Sequence, residues 1–125
     1  MKSGFTLIEL LVVITIAGLS LSLVGPLMTS QVDKMEQMGE FKHAESYIKN
    51  SHKVAFLKGQ NLILDLDGKR IQRHLGQDVQ TVDYDHLFFP KQQYSVNSNG
   101  FSAQRQVDVI AGKQHKTISL ADYTK

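Results

Sequence analysis

Cysteine is absent from the 125 residues. That excludes disulfides, thiolate metal sites and a cysteine nucleophile. Other chemical signatures are missing too. No G-x-S-x-G elbow marks a serine nucleophile, and no P-loop or dinucleotide fingerprint is present. The five histidines, His43, His52, His74, His86 and His115, form no close ligand motif. His43 and His52 are nine apart, not one helical turn, and both are expected on solvated helix faces. Asp65-Leu66-Asp67-Gly68 has the start of a calcium loop but not its remaining ligands, so it reads as a turn. No metal, cofactor or catalytic residue is expected. A formal net charge of +2 points to no particular partner.

Charge is also scarce in one place. From Phe5 to Val24 the only ionisable residue is Glu9. Twenty helical residues span roughly 30 Å, the hydrocarbon thickness of a bilayer. A secretory signal has a shorter apolar region and no acid within it. Ser20-Leu21-Ser22 passes as a small-x-small cleavage site, but Glu9 speaks against that alternative. Lys2 and the initial amine precede the run, whereas Asp33, Lys34 and Glu36 follow it and nearly cancel. The positive-inside tendency keeps the N-terminus cytoplasmic and exports the remainder.

A carboxylate in a bilayer costs about 2.5 to 3.5 kcal/mol at a helix centre and less near an end. Glu9 therefore requires compensation or snorkels to the interface. Gly18 and Gly25-Pro26 weaken the helix; the glycines also permit close helix packing.

The opening Lys2-Ser3-Gly4-Phe5-Thr6-Leu7-Ile8-Glu9-Leu10-Leu11-Val12-Val13 resembles the type III signal of type IV prepilins and type II secretion pseudopilins. The resemblance covers about the first 26 residues. It implies cleavage between Gly4 and Phe5 by a membrane prepilin peptidase, with N-methylation of Phe5. It also implies an assembly role for Glu9, Gly18 and Pro26. The new amine on Phe5 would lie about 6 Å along the axis from Glu9, on one helix face. The amine of one subunit can thus neutralise Glu9 of a neighbour displaced by one turn. The implied partners are the peptidase, other pilins or pseudopilins and an inner-membrane assembly platform.

Beyond the apolar run, Val32, Met35, Met38, Phe41, Ala44, Ile48, Ser51 and Ala55 form one helical stripe, with a stop at Gly59. It is expected to be core. Leu62–Leu66 and Lys69–Arg73 flank Asp67-Gly68, a hairpin signal. Residues 80–90 read as one extended stretch with Leu87-Phe88-Phe89 buried. Val107–Ala111 and Lys116–Leu120 read as a closing hairpin. The expected fold is α+β: a long N-terminal helix, half transmembrane and half amphipathic, packed on a small antiparallel sheet. The expected organisation is a leader at 1–4, a transmembrane helix at 5–28 and an exported domain at 29–125, with its helix at about 31–58 and strands at about 61–121.

This layout is also similar to the H-type minor pseudopilins, the GspH/FimT family, through Phe88-Phe89-Pro90, Ser98-Asn99-Gly100-Phe101 and the closing hairpin. The first reading is a minor pseudopilin or minor pilin in the bacterial inner membrane, with a periplasmic domain. A second reading has Arg105, Lys113 and Lys116 bind DNA phosphates, with Lys69, Arg70 and Arg73 nearby if both hairpins share a face. A membrane-anchored enzyme is the third reading and has no catalytic signature.

Overall fold

The computed structural model describes Gly4 and residues 6–124. Met1, Lys2, Ser3 and Phe5, which carry part of the expected leader and its cleavage site, lie outside the described residues. The chain forms two compact units, Met1–Met35 and Glu36–Lys125. Helix α1, Leu7–Lys58, contributes to both.

In the first unit α1 passes through Gly18, Gly25 and Pro26 without a break. Its hydroxyls are satisfied locally. Thr15 donates to the Leu11 carbonyl at 2.7 Å, Ser20 to Ile16 at 2.9 Å, and Thr29 to Gly25 at 3.1 Å. Such bonds let polar side chains enter an apolar medium, where no water can serve them. The apolar side chains between Leu7 and Val24 are exposed, as a segment that meets lipid or other helices requires.

The second unit holds the rest of α1 and a six-stranded antiparallel sheet in the order β3-β2-β1-β4-β5-β6. The strands are β1 Leu62–Gly68, β2 Arg70–Leu75, β3 Asp78–Asp83, β4 Leu87–Val96, β5 Gln106–Ala111 and β6 Gln114–Ser119. Alternation along them sends Leu62, Leu64, Leu66, Ile71, Phe89, Tyr94, Val107, Val109 and Ile118 inward. Ala44, Ile48 and Ala55 of α1 join the same buried cluster. The helix ends where Gln60 donates to the Ala55 carbonyl at 3.2 Å and Gly59 to Phe56 at 3.2 Å, a Schellman closure.

Three hairpins share one loop design. The pairs Asp67↔Arg70, Leu75↔Asp78 and Ala111↔Gln114 enclose Gly68-Lys69, Gly76-Gln77 and Gly112-Lys113. Each loop begins on a glycine of positive φ, and no non-glycine residue has one among the described residues. Glycine at the first central position fits a type II′ turn, whose twist suits the flanking strands. The first turn thus lies one residue later than the expected Asp67-Gly68. The hairpin at Gly76 was not anticipated from the sequence.

Other expectations require correction. The extended stretch at 80–90 is two strands, interrupted at residues 84–86. Glu40 of α1 causes the interruption: its carboxylate accepts from the backbone amides of Asp85 at 2.6 Å and His86 at 2.7 Å. Leu87 and Phe89 are buried, but Phe88 is on the outer face, 49% exposed, because adjacent strand residues point to opposite faces. Val32, Met35 and Met38 are exposed rather than core; the covered stripe begins near Phe41. His52 is buried, not solvated.

The seam between β4 and β5 has only two paired positions, Leu87↔Ala111 and Phe88↔Ile110. Past it, glutamine amides replace the missing ladder. Gln92 donates to the Asp108 carbonyl at 2.7 Å and accepts from its amide at 3.1 Å. Gln104 donates to the Gln93 carbonyl at 3.0 Å and accepts from the Ser95 amide at 3.2 Å. A side-chain amide carries the same donor and acceptor as a peptide group, so it can satisfy a strand that has lost its neighbour.

Candidate processing and assembly site

Gly4 lies outside regular secondary structure and is exposed, with no atom near the position of an added Cβ. Two residues on, Thr6 starts the helix. Its hydroxyl accepts from the Glu9 amide at 3.2 Å, and the Glu9 carboxylate accepts from the Thr6 amide at 3.3 Å. This is a reciprocal capping box: the N-cap and N3 side chains each satisfy a backbone amide of the other. A carboxylate there also faces the positive end of the helix dipole. Thr6 was not singled out from the sequence, although Thr-x-x-Glu before an apolar run is a legible signal for it.

The capping box partly answers what compensates Glu9. One carboxylate oxygen has a weak intrachain partner, and the group remains exposed. It is therefore accessible to a cation. Phe5, whose amine would be that cation in a neighbour, lies outside the described residues. Gly18 and Gly25 have open space where a Cβ would stand, so another helix can approach the backbone closely there. Pro26 removes the amide that would bond the Ser22 carbonyl. Separately, the Ser22 hydroxyl donates to the Leu19 carbonyl at 2.8 Å.

The basic residues considered for DNA are dispersed. Arg105 precedes β5 and Lys113 lies in the turn after it, both exposed. Six strand residues separate them by about 20 Å. Lys116 projects from the helix-facing side of β6, its Nζ 5.0 Å from the centre of the Phe41 ring. Arg73 likewise lies over Tyr47, at 4.9 Å. The first hairpin lies toward the β3 edge of the sheet and the last at the β6 edge. The two hairpins do not form one basic cluster.

Buried polar groups of the second unit serve the fold. His52 Nδ1 lies 3.0 Å from the Gly100 carbonyl, which can only accept, so Nδ1 carries the proton. Nε2 then accepts from the Tyr94 hydroxyl at 2.8 Å. Tyr123 stacks on the imidazole at 4.4 Å. Burial lowers the His52 pKa below its usual value, against the opposing pull of the Gly100 carbonyl. His43 Nδ1 meets the Tyr84 hydroxyl at 2.9 Å. Burial first, then Tyr47 and Glu40, raise the Tyr84 phenol far above its ordinary range. No group of three or more histidine or acidic residues is placed to hold a metal among the described residues.

Residues 1–25 match the family model described as the prokaryotic N-terminal methylation motif. No curated protein and no solved structure matches the chain significantly. The match falls on the segment that contains Gly4, Thr6, Glu9 and the first part of α1. The motif and the single apolar helix fit a membrane-anchored, type IV pilin-like chain processed by prepilin peptidase.

Proposed function

We propose that this type IV pilin-like chain is a minor pseudopilin or minor pilin, a structural subunit that leaves the membrane to enter a filament. The methylation-motif match is the observation that carries the reading. Residues 1–4 are the leader, 5–28 the membrane helix and 29–125 an exported, periplasmic domain held at the inner membrane. Prepilin peptidase cuts after Gly4, and the new amine of Phe5 is methylated.

Glu9 acts by positioning. A desolvated carboxylate seeks a cation, and the exposed oxygen at the capping box is available to the Phe5 amine of an adjacent subunit. That charge pair would select one axial register. Gly18 and Pro26 let the helix pack and adjust within the filament core. The assembly platform and other pilins or pseudopilins are the partners. The H-type minor pseudopilin subtype rests on the resemblance carried by Phe88-Phe89-Pro90, Ser98-Asn99-Gly100-Phe101 and the closing hairpin.

The intact mass of protein purified from its native membrane tests the reading. The expected mass lacks Met1–Gly4 and includes one methyl group. An uncleaved chain overturns it and leaves an ordinary signal-anchored protein.

A further inference from the structure

The second unit has two unmatched features at its opposite ends. At one end, the last turns of α1 and the 97–101 turn enclose an open groove of about 530 Å³. Phe56, Phe101 and Tyr123 give it apolar walls, and Lys49 and Lys53 stand at its rim. No carboxylate lines it. Glu45 neutralises Lys49 at 3.2 Å, whereas Lys53 has no ion-pair partner among the described residues. Phe56 is 62% exposed beside it. An aromatic ring left in water beside an uncompensated ammonium calls for an apolar group next to an anion.

The other end presents that combination. Phe88 and Ile110 are cross-strand partners on the outer face, one of the two β4–β5 paired positions. Asp108, two residues before Ile110, occupies the same face, is exposed, and has no ion-pair partner among the described residues. Phe88 lies at the end where Gln37 approaches Gly112, whereas Phe56 lies at the end where His52 approaches Gly100. Residues 37 and 56 are about 28 Å apart along the helix.

We infer that the knob formed by Phe88, Ile110 and Asp108 of one subunit docks into the Lys53–Phe56 groove of a second copy of the chain. The inference rests on the filament reading and extends it to a specific contact between exported domains. Because the two surfaces are different and stand at opposite ends, the contact is heterologous. Such a contact joins two neighbouring copies head to tail instead of closing a two-fold dimer. Phe88 is the anchor, the Lys53–Asp108 pair sets its orientation, and flanking apolar surface excludes water. A nucleic-acid strand fits the groove less well. It requires a track of cations, and Lys53 is the single uncompensated one at this rim.

The absence of native cysteine makes the test direct. Two differently tagged full-length chains, Asn50→Cys beside the groove and His115→Cys, the cross-strand partner of Ile110, are co-expressed in the native host and oxidised in membranes and sheared filaments. Both positions are exposed and flank the contact, so neither substitution opens the core or removes Phe56, Phe88 or the Lys53–Asp108 pair. The expected product is the mixed dimer between the two tags, with little dimer within either tag. Lys53→Glu is expected to reduce it about fivefold, and Asp108→Lys in the other chain to restore it. Absence of the mixed dimer, or Asn50→Cys linking mainly to itself, overturns the contact. So does exclusive linkage to a different pilin or to nucleic acid. Mass spectrometry of the same samples separates the two levels. Processed, filament-incorporated chains without the cross-link sink only the docking contact; unprocessed chains sink the filament reading beneath it.

Discussion

Thr6 and Glu9 each hold the other's backbone amide, at 3.2 and 3.3 Å, so the Glu9 carboxylate is a helix cap. The proposed register-setting charge would give the same side chain a second role, and substitutions can separate the two. A capping box accepts glutamine in place of glutamate. Glu9→Gln keeps the cap and removes the charge; Thr6→Ala keeps the charge and weakens the cap by about 1 kcal/mol.

If the charge sets register, Glu9→Gln is expected to lower the filament fraction about tenfold or more while the chain remains in the membrane at normal levels. That factor corresponds to one charge-assisted hydrogen bond. Thr6→Ala is expected to incorporate within a few-fold of the native chain. Quantitative immunoblots of sheared filaments against membranes supply the comparison. Native-like incorporation of Glu9→Gln, together with failure of Thr6→Ala, would mean that the cap, not the charge, matters.

His52 is expected to make the second unit sensitive to acid. The fold holds its imidazole neutral between the Gly100 carbonyl and the Tyr94 hydroxyl, and burial depresses its pKa. The unfolded chain takes up a proton near pH 6.5, its ordinary value. Below that pH the unfolded state binds more protons, so stability is fully present above it and declines as pH falls toward the folded-state pKa. The thermal midpoint of the full chain in detergent is expected to drop between about pH 7.5 and about pH 5.5. His52→Gln is expected to flatten that dependence. It also lowers the midpoint at all pH values, since replacement strains two buried hydrogen bonds, each worth about 1 kcal/mol. An unchanged pH slope in His52→Gln assigns the acid sensitivity to another group.

The membrane anchor and the helix–sheet layout were legible because each rests on a long, repetitive pattern. Twenty residues with one charge fix the first, and the Ala44–Ile48–Ala55 spacing with alternating strands fixes much of the second. What escaped the sequence depended on single tertiary contacts. Residues 80–90 look continuous as a string, and only the reach of Glu40 across to the amides of Asp85 and His86 breaks them. His52 looks like any polar helix residue until the 97–101 turn brings the Gly100 carbonyl over it. Val32, Met35 and Met38 share the periodicity of core residues, yet no strand of the second unit covers Met38. The capping box is different: Thr6-x-x-Glu9 before an apolar run spells it in the sequence itself.

Two glycines in left-handed backbone face different neighbours, and this predicts their order of tolerance. At Gly100, φ is +84° and an added Cβ would stand 3.1 Å from the His52 carbonyl oxygen and 3.2 Å from Phe56 Cβ. Neither can move without shifting the helix. At Gly112, φ is +64° and the neighbour is the amide end of Gln37, a flexible side chain that can swing away. Gly112→Ala is then expected to cost about 1 to 2 kcal/mol, the strain of a left-handed alanine. Gly100→Ala carries a comparable strain plus the displacement of α1 from the 97–101 turn, and it disturbs the His52 bond to the same residue. Its expected cost exceeds 2 kcal/mol, toward the large end for single substitutions. Thermal unfolding of the two variants beside the native chain checks the ranking. Equal losses would show that backbone strain alone governs both sites, and a worse Gly112→Ala would mean that Gln37 is held more firmly than its side-chain freedom implies.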